Sequence, residues 1–353
     1  MRRRKLTIPL AVLAVVIAVA AAVILQKTAP PEPVRLLPEA QAYLYLNLKP
    51  LRRAGLLDKM PPVQPDAEYA NFVKQTGFQF ERDLEEAAIA VHTPPPSTAG
   101  GSAEAPGENR YSWVVVARFD GQRLREFLKN HARNTETYHE REIFEIPREG
   151  YTDRICILGP ELVALSTTDD PEIIRGIIDR YSKLALPFGG PSLVRKHYSK
   201  LPLGTIAWAI ADIARGSDRN KAYVLPGGYD LFFPPDTVMV ASLRYLGSID
   251  LKVQALTTND DAARRITDQL SAFLAVFRTL ELNAGGPDPE VKAFFDSIKV
   301  QEDGPKAELT ADLPKGFLKK LLTEPPPEIE PAAPAPAPPP EKPQPPKHHK
   351  RQR

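Results

Sequence analysis

Reactive side chains are scarce in this chain of 353 residues: it has one cysteine and six histidines. A single cysteine excludes an intrachain disulfide, a cysteine-rich zinc site and a CxxC redox pair. Cys156 lies in the apolar run Arg154-Ile155-Cys156-Ile157-Leu158 and reads as a buried thiol, a small hydrophobe rather than a nucleophile. Charge of one sign is also lacking. Lys and Arg number 46 against 44 Asp and Glu, a net charge of +2. No bulk field draws the chain toward nucleic acid, and no nucleic-acid partner is expected. The short signatures of catalysis are missing as well: HExxH, GxSxG, SxxK, a Walker loop, GxGxxG and an EF-hand loop. Gly189-Gly190, Gly227-Gly228 and Gly285-Gly286 read as turns. No catalytic residue, cofactor or metal site is expected.

The remaining candidates have plainer explanations. His139-Glu140 has no third ligand at metal spacing. His197 stands among lysine and arginine and is expected in solvent, and His348 and His349 belong to a basic tail. The paired acids Asp169-Asp170 and Asp260-Asp261 sit where a helix N-terminus needs capping, and Glu85-Glu86 leads solvated into a strand. Acid–base catalysis would require such carboxylates to meet with shifted pKa values.

One long hydrophobic run is present. Arg2, Arg3, Arg4 and Lys5 precede an uncharged stretch from Leu6 to Leu25. As a helix, those twenty residues would rise about 30 Å, the thickness of a bilayer core. The basic flank orients the N-terminus to the cytoplasm and everything after Leu25 to the other side. The competing reading is a cleaved signal peptide, with Ala18, Ala20, Ala21 and Ala22 near the cut. The run continues apolar through Val23, Ile24 and Leu25, which favours an uncleaved anchor. Both readings export the main domain.

Residues 1–5 are thus expected as a cytoplasmic flank, 6–25 as a transmembrane signal-anchor and 26–36 as a Pro-rich extended linker. Residues 37–323 form the main domain, with possible lobes at 37–185 and 205–323. Residues 93–110, rich in Pro, Gly, Ser and Ala, read as a flexible loop. Within the domain, AYLYLNL (42–48), YSWVVVARF (111–119) and the segments 205–213, 237–245 and 306–313 read as strands. A strand, a capping turn and an amphipathic helix recur three times, at Asp120-Gly121, at TTDD (167–170) and at TTND (257–260). The last two turns match, which suggests an internal duplication or only shared capping chemistry. Strands that come two or three at a time before a helix predict an α+β fold, with antiparallel sheet and helices packed on one face. YDLFFPP (229–235) reads as core or a junction between lobes, with an exposed contact loop as the alternative. Residues 324–353 form a Pro-rich disordered tail, ending in the basic patch Lys347, Lys350, Arg351 and Arg353.

The stretches TGFQFERDLEEAAIAV, VVVARFDGQRLREFL and EIFEIP…ICILGPELVALSTTDDPEIIRGIID resemble a group of uncharacterised exported, membrane-anchored bacterial proteins with repeated strand-strand-helix units. The resemblance spans roughly residues 37–313. It implies a single-pass protein of the bacterial inner membrane with a periplasmic or extracellular domain, and it implies no activity.

The leading functional expectation is a non-enzymatic envelope protein with an interaction or scaffolding role. Its partners would be the membrane through 6–25, and an envelope protein or anionic polymer through the tail. The alternatives are an envelope hydrolase with dispersed carboxylates and a binding domain for a lipid or small apolar ligand.

Overall fold

The computed structural model describes residues 29–57, 66–92, 110–183, 189–213, 223–225, 229–245, 248–283 and 289–314. The segments expected as the anchor (6–25), the flexible loop (all but Arg110) and the Pro-rich tail lie outside them.

The strands in chain order are β1 (Ala42–Asn47), β2 (Leu84–His92), β3 (Arg110–Ala117), β4 (Asn134–Tyr138), β5 (Arg141–Arg148), β6 (Tyr151–Gly159) and β7 (Leu162–Ser166). They continue with β8 (Thr205–Asp212), β9 (Tyr223–Leu225), β10 (Tyr229–Leu231), β11 (Val238–Tyr245), β12 (Ile249–Leu256), β13 (Lys299–Glu302) and β14 (Lys306–Leu313). Twelve of them form one sheet in the order β13-β14-β12-β11-β8-β1-β2-β3-β7-β6-β5-β4, and β9 and β10 make a separate ribbon. The protein is therefore α+β, built on a large, wholly antiparallel sheet. Strands β1 and β8 meet at the seam between the first-half strands and the second-half strands. Their register sets Tyr43 opposite Ile210 and Leu44 opposite Ala209. The outer strand β4 (NTETY) is almost wholly polar, which suits an edge whose outer backbone groups face water.

Successive residues of a strand point to opposite faces. The sheet therefore has a Tyr43 face and a Leu44 face. On the Tyr43 face lie α1 (Glu32–Leu36), α6 (Glu172–Ser182) and α7 (Ser192–His197). Val34 and Leu36 of α1, Ile174, Ile177 and Ile178 of α6, and Val194 of α7 share one core with Tyr43, Val114, Cys156 and Ile210. The stripe on α6 forms because isoleucines recur at helical spacing. Its start is fixed by the Asp170 carboxylate, which accepts the Glu172 N–H at 2.9 Å.

The Leu44 face carries other helices. α5 (Gly121–His131) sets Leu124, Phe127 and Leu128 against Phe144, Ile146, Ile155 and Ile157. Asp120 caps it through the N–H groups of Gln122 and Arg123. α3 (Ala67–Thr76) docks beside α5, Phe72 meeting Phe127 edge-on at 5.2 Å. Arg123 donates to the carbonyls of Lys74 and Gln75 at the end of α3, where Gly77 turns at φ 75°. At the other end of this face, Ile266 and Leu270 of α8 (Asp260–Asn283) pack on Ala255 and Ala307. The short α2 (Lys49–Arg53) follows β1, α4 (Phe80–Asp83) leads into β2, and α9 (Pro289–Ser297) precedes β13.

Two expectations are corrected. Helices cover both faces rather than one, because a helix's apolar stripe specifies burial and not the side of the sheet. Residues 32–36 are not linker: α1 is part of the core, with Val34 and Leu36 at 0% exposure. The Arg180 guanidinium donates to the Leu36 carbonyl at 2.7 Å, and Gly190 (φ 107°) lies so close to α1 that a Cβ would stand 3.2 Å from the Arg35 Cα. YDLFFPP shows both of its expected characters: Leu231 is buried and Phe233 packs on the α8 core, while Phe232 is half exposed.

Candidate binding face

The central strands are apolar on both sides. β1 alternates Tyr43 and Tyr45 with Ala42, Leu44 and Leu46. β8 alternates Ile206, Trp208 and Ile210 with Ala207, Ala209 and Ala211. Strands of this kind are expected where both faces of a sheet are covered. Among the described residues only the Tyr43 side carries helices there. The two helix-bearing cores on the Leu44 side end at β6 and at β12, and neither reaches β1, β8 or β11.

Register assembles what is left into rows. Leu165, Trp113, Ile89, Leu44, Ala209 and Ala241 are cross-strand partners in succession across six strands. None of the six is buried. Leu44 is 41% exposed and Trp113 36%, while Tyr43 on the opposite side is at 0%. A second row, Val163, Val115, Ala87, Leu46, Ala207 and Leu243, lies beside it, and in it only Ala87 is buried. At about 4.8 Å per strand, six strands make a bare floor about 24 Å wide. The β8 alanines lower it between Leu44 and Leu46 on one side and Met239 and Leu243 on the other. A contiguous apolar surface, exposed at Leu44 and Trp113 and half-buried elsewhere, is a candidate interaction site.

The opposite face changes character in the second half. From β11 outward the Tyr43 side presents Ser242, Arg244, Asp250, Lys252, Thr310 and Asp312, which line a cleft of about 340 Å³. Arg244 pairs with Asp250 at 3.0 Å, and Lys252 with Glu308 at 2.8 Å. Its cations are thus already matched by carboxylates.

The groups singled out by sequence are distributed through the fold rather than gathered. Cys156 is buried, and burial pushes its thiol up to about 12. Glu86 takes Lys49 at 2.7 Å and the Tyr45 hydroxyl at 2.8 Å, while Glu85 takes Lys49 at 3.3 Å. Burial, and then Glu86, raise the Tyr45 phenol. Asp260 and Asp261 sit in the first turn of α8, but the cap is Asn259, whose side-chain oxygen accepts the Ala262 N–H at 2.9 Å. His139 lies in the β4–β5 turn, 3.4 Å from Asp179. Among the described residues no group of three or more His, Cys, Asp or Glu is placed to hold a metal ion.

His197 corrects another expectation. It is not solvated but buried, 5% exposed, and neither ring nitrogen has a hydrogen-bond partner. Burial, then Lys200 and Lys196, lower its pKa, and Asp212 opposes them. Val194 and His197, three apart, face the sheet together while Arg195 and Lys196 face out. Arg2, Arg3, Arg4, Lys5, Lys347, Lys350, Arg351 and Arg353 lie outside the described residues. No described helix is long and apolar enough to cross a membrane.

The fold and the face together define an α+β protein whose Leu44 sheet surface carries no helix over its central strands among the described residues. No family model and no curated protein matches the sequence. Among solved structures, crystal forms III, I and IV of TP0453 align with TM-scores of 0.46, 0.42 and 0.44. Identity is 10% in each, over 82–83% of this chain and 97% of that one. Such scores carry no argument about fold or function.

Proposed function

We propose that this chain is a binding protein rather than an enzyme, held at the bacterial inner membrane by Leu6–Leu25 with its domain on the periplasmic or extracellular side. The observation that supports the binding reading is the Leu44 face, where apolar side chains stand in register with no helix over them among the described residues. The buried Cys156 thiol and the carboxylates held by Lys49, Arg244 and Lys252 are structural in this reading.

We further read the two ends of the sheet as related lobes. Outward from the β8–β1 seam, one end runs β1-β2-β3 and the other β8-β11-β12. β3 leads through Asp120 into α5, and β12 leads through Asn259 into α8. The turn at 257–260 then corresponds to Asp120-Gly121 and not to 167–170. The tail, in the same reading, reaches an anionic envelope polymer or headgroup layer through Lys347, Lys350, Arg351 and Arg353. Unchanged sedimentation with anionic vesicles after deletion of 342–353 would refute that part.

The binding reading is tested by placing a photoreactive residue at position 44 or at position 310 of the full chain in its native membrane. Adducts from 44 in excess of those from 310 are expected. Equal yields at both positions, or none at 44, would remove it.

A further inference from the structure

We propose that the occupant of the Leu44 face is the acyl part of a membrane phospholipid. This deepens the binding reading above and rests on it. Four observations select hydrocarbon.

The floor is mid-sheet. β1 is paired on both sides, with β2 and β8, and β8 with β1 and β11. No free backbone edge is offered there, so an extended peptide cannot add itself as a strand. The two rows carry no charged side chain, so an occupant that needs ionic or hydrogen-bonded recognition finds little to read.

A second copy of the chain, stacked face to face, fits the floor poorly. Two sheets pack face to face at about 10 Å. The flanking α5 and α8 stand on the same face, and a helix with its side chains is about 10–12 Å thick. Helices of the two copies would meet before the floors do. The area is also short: about 24 Å by about 14 Å (four strand residues) on each copy gives about 700 Å² in all, against about 1,200–2,000 Å² for a specific protein interface.

The tether is short. α1 begins at Glu32 and is fixed in the core. With Leu25 as the end of the anchor, only residues 26–31 join the two, a reach of about 20 Å when fully extended. The domain stays beside the headgroup layer, where phospholipid is the abundant source of hydrocarbon.

The protein carries its own reporter. It has two tryptophans. Trp113 lies in the floor at 36% exposure, and Trp208 is buried on the other side at 5%. Full-length chain is reconstituted in vesicles of phospholipid carrying a nitroxide at mid acyl chain, and tryptophan emission is measured against vesicles labelled at the headgroup. The acyl label is expected to quench strongly and the headgroup label weakly. Trp113→Phe is expected to abolish the difference.

Ala209→Glu is expected to raise the labelled lipid needed for half quenching by at least about tenfold, because its carboxylate would meet hydrocarbon. Leu44→Asn provides a second variant with a smaller effect of the same sign, and each variant combined with Trp113→Phe, where Trp208 alone emits, reports that the fold is kept. Absence of acyl quenching, equal quenching by both labels, or quenching indifferent to both variants would overturn the proposal. If position 44 still crosslinks to a protein while Trp113 is not quenched, the binding face stands and its occupant is a partner helix. If the adduct is the chain itself, the occupant is a second copy. In either case the lipid proposal is wrong.

Discussion

Leu44→Ala should cost the fold little, whereas Ile210→Ala should cost it heavily. The two positions lie on the paired strands β1 and β8: Leu44 faces Ala209, and Ile210 is the next residue along. Ile210 is at 0% exposure within the core that joins α1, α6 and α7 to the sheet. Removing its branched side chain leaves a cavity, and such substitutions cost about 2–5 kcal/mol. Leu44 is 41% exposed, and no described helix packs above it. No cavity can form there, and what is lost is the partial shielding given by its neighbours, about 0.5–1 kcal/mol. Denaturant unfolding of the full chain at constant slope reads both as midpoint shifts. Equal losses for the two variants would mean that another part of the chain covers the Leu44 face, and the binding reading would fall with its premise.

Other consequences concern the Tyr43 side. Because the folded chain lowers the His197 pKa from 6.5, the unfolded chain binds that proton more readily. The stability it contributes is present above the unfolded value and is lost as pH falls through the folded one. His197→Leu should flatten the acid limb of a stability–pH curve and raise stability at its acid end, and an unchanged curve would contradict this. His92, also lowered by burial, titrates in the same direction and remains in the variant. Arg180→Leu removes the charged hydrogen bond that ties α6 to the Leu36 carbonyl and should cost about 1–3 kcal/mol in the same unfolding assay. Cys156 should react with a thiol reagent only at the rate of unfolding, since it is buried and its thiolate is disfavoured. Rapid labelling of the native protein would show the core to be open there.

Much of the sheet is legible in the sequence because its strands alternate or run apolar at lengths that suit strands, as in YSWVVVARF and TIAWAIAD. The polar NTETY does not read as a strand. It carries almost no hydrophobic pattern because it forms an edge, and it is defined by its partner β5. α1 is hidden by Pro31 and Pro33, which read as linker, yet Pro fits the first turn of a helix. His197 is misleading because the charges beside it suggest solvent, while the three-residue spacing to Val194 decides which way it faces. The binding face has a signal, apolar residues on both sides of β1 and β8. That pattern says both sides should be covered. Which side goes without a helix depends on where α5 and α8 land, and a helix's own period cannot state that.

The most direct measurement of the central claim is thiol labelling at the floor. The only native cysteine is buried, so an introduced one reports alone. Ala209→Cys and Thr310→Cys, on opposite faces, would be treated with a membrane-impermeant maleimide in membranes opened to expose the domain. If the Leu44 face is occupied where the protein works, position 209 labels at least about tenfold more slowly than 310, a difference of about 1.4 kcal/mol in access, and it gains reactivity when the purified chain is stripped of lipid. Equal labelling of both positions in the membrane would mean that nothing covers the face, and the account would be wrong.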